Sequence, residues 1–454
     1  MTSYRISPLT HGSPRDVNDV PEFIEMGKLS NRLNEARQSM QPYFDKYGGA
    51  FKSITSNSSP MKFLPTQIGQ RFQCQNPNNM WIKIYELLAT NNLIPTEDSN
   101  ESETKQPWRY YDFNCLPGYS LFAVNHFVFT KASNEVKDNF EWIGNVQDPD
   151  DFERNDPFDL YKNYRDLGNF QDLDFSHGCP DEFNEKDAGT VSLLIGTSEN
   201  HNSRDYLKQE FNDSSYLIQE VMAALSYLKQ GGHAVFRLTS FFNKFTISVI
   251  AAMRAVFRSV EIFRPMSAKA DSMEVFLVCK SYYIDETNQG IIIRVSEFLD
   301  TNRNDEGYYV EKEIVGVGHI IGPFWSDLLN AARTLVNQVI REIESNIKLF
   351  DDVIRKCGPD NFARQAEYSK ELSKDKIETA IDRWYGVCHI VDLNKRLMLN
   401  VRAEQPREYG HRGGRGGSHA RGNGRGGGRG GGGGRGRGRL EPISSDGWIV
   451  AGRK

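Results

Sequence analysis

Between residues 109 and 280, short apolar runs alternate with longer amphipathic ones, and this alternation restricts the possible folds more than any other feature. Short runs rich in branched and aromatic residues suit strands, whereas apolar residues recurring every three or four positions suit helices. Strands are predicted at 109–113, 190–196, 233–238, 260–264 and 274–280, and a further one at 142–144. Helices are predicted at 121–129, 213–230 and 241–257. Alternation of this kind gives an α/β fold, a mostly parallel sheet with helices on both faces. The last two strands follow one another directly, which points to an antiparallel pair at one edge. Gly231-Gly232 reads as the end of a helix, because glycine commonly follows a helix C-terminus. The strand after it delivers one cation, Arg237, to its far end. Ligands of open α/β sheets sit beyond the carboxyl ends of the strands, so Arg237 is either a site residue or a surface arginine in a loop.

The flanking segments read differently. Residues 1–20 are polar and proline-bearing and are predicted to be an unstructured leader without the apolar core of a signal peptide. Residues 21–48 have helical spacing and break at Gly48-Gly49; 52–66 read as a linker, so 1–66 forms an N-terminal segment. Asn78-Asn79 is placed to cap a helix over 81–88 that carries Lys83. Residues 133–187 are dense in Asp, Asn and Phe and read mostly as loops. An α/β domain is expected over 75–285. Beyond it, 285–322 reads as β-rich or irregular, and helices at 325–355, 361–381 and 382–398 make 286–400 a mainly helical module. The remainder, 406–454, opens with a glycine-dominated stretch that cannot bury a core and is expected to be disordered.

Charge separates these parts. The net charge of −5 combines an acidic body with a segment, 410–439, that has eight arginines and no acid. Those arginines, Arg412, Arg415, Arg421, Arg425, Arg429, Arg435, Arg437 and Arg439, are spaced by glycine. Such a chain can neutralise phosphates and stack on bases without fixed structure, which suggests RNA. A solubilising tail, a protein-interaction tail or a site of arginine methylation are the other readings. The six cysteines are scattered, with neither a C-x-x-C pair nor a metal-type spacing to histidine, so reduced thiols and no metal site are expected. No run approaches the length of a membrane-spanning helix. His126 and His233 read as structural histidines, Asp148-Pro149-Asp150-Asp151 as a solvated acidic loop, and Phe241-Phe242 as either core or a stacking surface for an RNA base.

Within 78–285, several local patterns fall in a telling order. Asp112-x-x-x-x-Pro117-Gly118 follows the first strand, Gly231-Gly232-x-x-x-x-Arg237 the later one, and Arg264-Pro265, Ser267 and Ser272 lead into Glu274-Val275-Phe276. Together these resemble the motifs of the FtsJ-like, RrmJ-type ribose 2′-O-methyltransferases. Trp81 to Leu87, with Asn125-His126-Phe127, resembles in particular the methyltransferases of large cytoplasmic DNA viruses, and Asp382-Arg383-Trp384 is a weaker echo. The resemblance implies a Rossmann-like methyltransferase sheet, S-adenosyl-L-methionine as cofactor and a ribose 2′-hydroxyl of RNA, capped mRNA above all, as acceptor. It further implies Lys83, Thr197, Arg237 and Glu274 at the catalytic positions, and Asp112, Cys115, Pro117, Gly118, Tyr119 and Thr197 at the cofactor. Viral capping or virion proteins would be partners, and the host cytoplasm, at the viral factory, or the virion would be the place.

Three positions depart from the family pattern. Arg237 stands where the family has its lysine base, and a guanidinium stays protonated and cannot accept a proton. Thr197 stands where an aspartate is usual, and Tyr119 replaces the second glycine of the first motif. Two readings follow: a cap-type 2′-O-methyltransferase with a modified catalytic set, or a methyltransferase fold retained without catalysis as an RNA-binding or structural subunit of a viral RNA-modifying assembly.

Overall fold

Four strand pairs give the sheet its parallel part: β3 (Trp108–Asp112) with β4 (Phe140–Asn145), β4 with β5 (Phe170–Gln171), β3 with β6 (Val191–Gly196), and β6 with β7 (Leu228–Leu238). The structure, a computed structural model, describes residues 1–57, 59, 61–98, 107–146, 156–171, 173, 175, 186–198, 208–301 and 312–399. The arginine–glycine tail, its eight candidate RNA-binding arginines and the acidic loop at 148–151 therefore lie outside the described residues. Beyond β7 the sheet turns antiparallel through β9 (Val275–Tyr282) and β8 (Phe257–Arg264). The full order is β1-β8-β9-β7-β6-β3-β4-β5, with β1 spanning Thr2–Ile6.

Side-chain alternation divides the core into two layers. Tyr110, Leu193, Ile195 and Val235 point to one face, where they meet the helices Asn79–Asn91 and Tyr119–Lys131 and the end of the helix Phe362–Cys388 at Ile381 and Trp384. Tyr111, Leu194, Ala234 and Phe236 point to the other. There they meet the helices Ser214–Tyr227, Lys244–Val256, Pro21–Gln38 and Pro323–Cys357. This is the expected α/β sheet with helices on both faces, followed by a helical C-terminal region. The long helix Pro323–Cys357 buries a stripe through Leu328, Leu335, Val339, Ile343, Phe350 and Val353, the spacing of one helical face. Among the described residues no helix is long and apolar enough to cross a membrane.

Several sequence expectations are corrected. Residues 2–6 are not an unstructured leader: they form β1, antiparallel to β8, with Ile6 buried and its carbonyl accepting from Arg254 Nε at 3.1 Å. One apolar residue among polar ones gives little strand signal; the exposed edge of β8 supplies the template. The 52–66 stretch is helical over Gly49–Asn57 and again from Leu64 to Arg71, burying Phe51, Ile54, Leu64 and Ile68. The 285–322 stretch holds the helix Gly290–Thr301, whose Ile291, Val295, Phe298 and Leu299 share one face, and a short β10 (Ile320–Ile321) paired with β2 (Thr10–His11). The helices expected at 361–381 and 382–398 are one helix, Phe362–Cys388, followed by a short turn at Lys395–Leu397.

Gly231-Gly232 does not end a helix either. The helix stops at Tyr227, and the glycines lie inside β7, where the pairing with β6 jumps from Val191↔Leu228 to Leu193↔His233. The extra residues bulge outward, Gly231 adopts φ +81°, and a Cβ on Gly232 would press on the carbonyls of Lys229 and Val191.

The chain steps from β3 outward to β4 and β5, then returns to lay β6 and β7 on the other side of β3. The carboxyl ends of β3 and β6, at Asp112 and Gly196, therefore flank the point where strand order reverses, the place where such sheets leave a crevice for a ligand.

Candidate active site

Lys83, Arg237 and Glu274 come together at the end of β7 and the start of its antiparallel neighbour β9, although the lysine and the glutamate are 191 positions apart in sequence. Lys83 Nζ lies 2.5 Å from Glu274 Oε2, and Arg237 Nε lies 2.6 Å from Glu274 Oε1. The three side chains are only 12, 9 and 6% exposed. Burial alone would raise the Glu274 pKa, but the two adjacent cations outweigh it and hold the carboxyl well below the usual carboxylate range.

Local rules explain how each member arrives. Asn78 Oδ1 accepts from Trp81 N at 2.9 Å and fixes the start of the lysine's helix. Glu86, one turn beyond Lys83 on the same helix, reaches the loop that leads into β9. It accepts from Met266 N at 2.5 Å, Ser267 N at 3.1 Å and Ser267 Oγ at 2.6 Å. Arg264 closes the same loop from inside, donating to the carbonyls of Ser272, Lys269 and Ala270. Glu274 N then donates to Ser272 Oγ at 3.1 Å, which sets the carboxylate at the strand start. On the other side, Glu210 holds the loop that follows Arg237, accepting from Ser240 Oγ at 2.5 Å and from the N–H groups of Phe242 and Asn243 at 3.0 and 2.8 Å.

The second half of the site surrounds the crevice. Asp112 is fully buried, and burial lifts its pKa to about 7, eased by the Tyr110 hydroxyl, which donates to Oδ2 at 3.0 Å, and by the N–H groups of Asn114 and Leu121. The Tyr110 hydroxyl thus holds one carboxylate oxygen at the end of β3, while Oδ1 is buried without a hydrogen-bond partner among the described residues, beside the turn that follows. Cys115 packs its thiol against Gly144 and is buried, so the turn can offer a ligand its backbone there rather than its sulfur. Gly118 adopts φ +104°, and a Cβ would meet Leu160 at 2.8 Å and Phe122 at 2.9 Å; this face of the glycine is used for packing. Pro117 precedes it, and Tyr119 begins the next helix, half-buried, with its ring 5.7 Å from that of Phe158. Thr197, 8% exposed, follows β6. The donors present, backbone amides at a helix start, a tyrosine and a threonine hydroxyl, fit a nucleoside-type cofactor with a polar amino-acid end. At the end of β4, Asn145 spends its amide on Phe113 O and Leu173 N, at 3.1 and 3.0 Å, and so shapes the turn.

Two residues were not legible as site members from motif order. Glu210 and Glu220 both come from the segment before β7. Glu220, on the helix Ser214–Tyr227, is 2% exposed and accepts from Ser198 N at 2.8 Å. Burial lifts its pKa to about 8, with the Ser198 hydrogen bond and nearby Arg237 pulling the other way. Its signal was available: a glutamate set among Leu217, Ile218, Val221 and Ala224 on an apolar face. Phe241 and Phe242 are buried and stack on each other with centroids 5.9 Å apart, so they serve the core rather than an RNA base. His126 bonds Val391 O at 2.8 Å and His233 accepts from Ser281 N at 3.0 Å; burial lowers both to about 4. Among the described residues no cluster of His, Cys, Asp and Glu could hold a metal.

Residues 159–282 match the FtsJ-like methyltransferase family. A probable methyltransferase of African swine fever virus is 24% identical over 315 residues, covering 64% of this chain and 70% of the relative. A cap-specific mRNA (nucleoside-2′-O-)-methyltransferase 2 from Pongo abelii is 23% identical over 280 residues, covering 58% of this chain but only 34% of that longer protein. A solved S-adenosylmethionine-dependent methyltransferase from Clostridium acetobutylicum covers 51% of this chain and 86% of its own at 13% identity, with a TM-score of 0.21, too loose a likeness to carry weight. The matched span includes β6 to β9 with Thr197, Arg237 and Glu274, so it is this part of the chain that is similar to the FtsJ-like methyltransferase family.

Proposed function

We infer that the chain is an S-adenosylmethionine-dependent methyltransferase that modifies a ribose 2′-hydroxyl of RNA, with a cap-proximal nucleotide of mRNA as the acceptor. The observation that carries this reading is the buried Lys83–Glu274–Arg237 group at the strand ends. Two cations around one carboxylate leave a net positive charge, suited to a ribose with its flanking phosphates. Asp112, at the head of the turn, with Pro117, Gly118, Tyr119 and Thr197, would hold the cofactor, which supplies an electrophilic methyl group when bound. Arg237 stays protonated, so its part is to orient the ribose and not to remove its proton. Lys83 is ion-paired to Glu274, so as the methyl group is transferred the 2′-hydroxyl proton passes to water or another group. The contribution of the three is therefore positioning, which by itself is a large part of catalysis when two reactants must meet in line. The tail arginines would add RNA affinity, and the viral relative supports a setting among viral capping or virion proteins, in the host cytoplasm or the virion.

Arginine at the lysine position and threonine at the aspartate position favour a second reading, a methyltransferase fold kept for RNA binding or assembly. Calorimetric titration with S-adenosylmethionine, followed by methyl transfer to capped RNA, separates the two. The enzyme reading expects heat of binding and transfer that falls at least about 100-fold in Lys83→Ala. No heat, or binding without transfer by the wild type, gives the second reading.

A further inference from the structure

The end of β6 carries Gly196-Thr197 where the family resemblance expects an aspartate, yet a carboxyl group occupies that place. It comes from another element. Glu220 leans from the helix Ser214–Tyr227 across the strand end, and a Cβ on Gly196 would collide with its carboxyl. The glycine is thus the condition for the glutamate's position: any other residue at 196 would push it away. The contact does not stop at packing, since Ser198 N donates to Glu220 Oε1 at 2.8 Å and the charge of Arg237 acts on the same carboxyl. Glu220 is therefore held at the end of β6 by the gap at Gly196 and by the backbone of Ser198, and the charge of Arg237 is the weakest of the influences on its carboxyl.

We propose that Glu220 is the acidic positioning residue of the acceptor site, supplying from the neighbouring helix the carboxylate that the end of β6 lacks. The proposal rests on the ribose-binding reading given above, and it assigns Glu220 a role through Arg237 and the 196–198 turn, not a direct one in bond making. Its charge balance supports this. Lys83, Arg237 and Glu274 sum to one positive charge, which an ionised Glu220 offsets, while Arg237 itself is oriented by Glu274. The charged groups that bear on Glu220 are Arg237 and, from the start of its own helix, Asp213; Ser198 is its hydrogen-bond donor. Burial places its titration near pH 8, so its positioning effect should strengthen as pH rises through that value.

The test uses full-length protein and two short capped RNA oligonucleotides that differ only in a 2′-hydroxyl or 2′-deoxy group at the acceptor nucleotide, with affinities read by fluorescence anisotropy. Wild type is expected to prefer the hydroxyl form, with a preference that grows between pH 7 and pH 9. Glu220→Gln, which keeps the shape, should lose about tenfold of that preference and its pH dependence, while the tail-driven affinity common to both oligonucleotides stays. Glu220→Gln combined with Thr197→Asp, which returns a carboxylate to the strand, should recover the preference. Methyl transfer is measured in parallel. Absent transfer with an intact Glu220 effect on the preference removes the enzyme reading and keeps this one. Wild-type indifference to the hydroxyl, an unchanged preference in Glu220→Gln, or no recovery in the double variant overturns it.

Discussion

The two halves of one sheet edge treat buried carboxyls in opposite ways. At the end of β7 and the start of β9, Glu274 meets two full positive charges and stays ionised far into acid. At the ends of β3 and β6, Asp112 and Glu220 meet a hydroxyl and backbone amides, and both titrate near neutrality. The burial is comparable; the partner differs. Removing a carboxylate from water costs more than one or two neutral dipoles return, whereas two cations at hydrogen-bond distance return more than the cost. One half of the site is thus fixed in charge, and the other can change its charge near physiological pH.

The largest expected effect tests the fixed half. Glu274→Ala strands Lys83 and Arg237 side by side in a buried place and should cost about 3–5 kcal/mol in urea unfolding. A loss under about 1 kcal/mol would mean that the two cations find water or another anion and that the halves are alike. The next effect tests the variable half. The folded pKa values of Asp112 and Glu220 lie above those of the unfolded chain, so the stability they contribute is complete below about pH 4 and is lost as pH rises toward 7 and 8. Glu220→Gln and Asp112→Asn should each flatten that fall, by on the order of 4 kcal/mol between pH 4 and pH 9. Glu274 has the opposite sign: its contribution is present above the unfolded carboxylate pKa and is lost only in stronger acid. Thermal unfolding across about pH 2–9 reads both, and a variant that steepens the fall would reverse the assignment. The smallest effect on the fold comes from deleting 406–439. Unfolding should be unchanged while the salt dependence of RNA binding becomes shallower, and an unchanged salt slope would remove the tail from the RNA contact.

Much of the fold was legible because local chemistry and tertiary demand agree. Asn78 caps the helix it was expected to cap, and the strand at β6 is apolar on both faces because helices cover both. The apolar stripe of 323–357 needed no tertiary information to read as a helix. Where local signals were weak, the expectation failed. The Gly231-Gly232 pair marks both a helix end and a bulge, and only the register against β6 distinguishes them. β1 has one buried apolar residue and exists because β8 leaves an edge to pair with.

The candidate site divides along the same line. Motif order in the sequence grouped Lys83, Thr197, Arg237 and Glu274 by resemblance, and the structure joins Lys83, Arg237 and Glu274 by ion pairs while Thr197 follows β6. Sequence by itself determined that Arg237 cannot act as a base, since that is a property of the guanidinium. Only the tertiary structure decided how charge is distributed among them. Glu86 and Glu210 hold loops far from them in sequence, and Glu220 reaches a strand end through the gap that Gly196 leaves. A residue type announces which protons and charges it can carry; which of them it carries is set by the desolvation and the partners that packing provides.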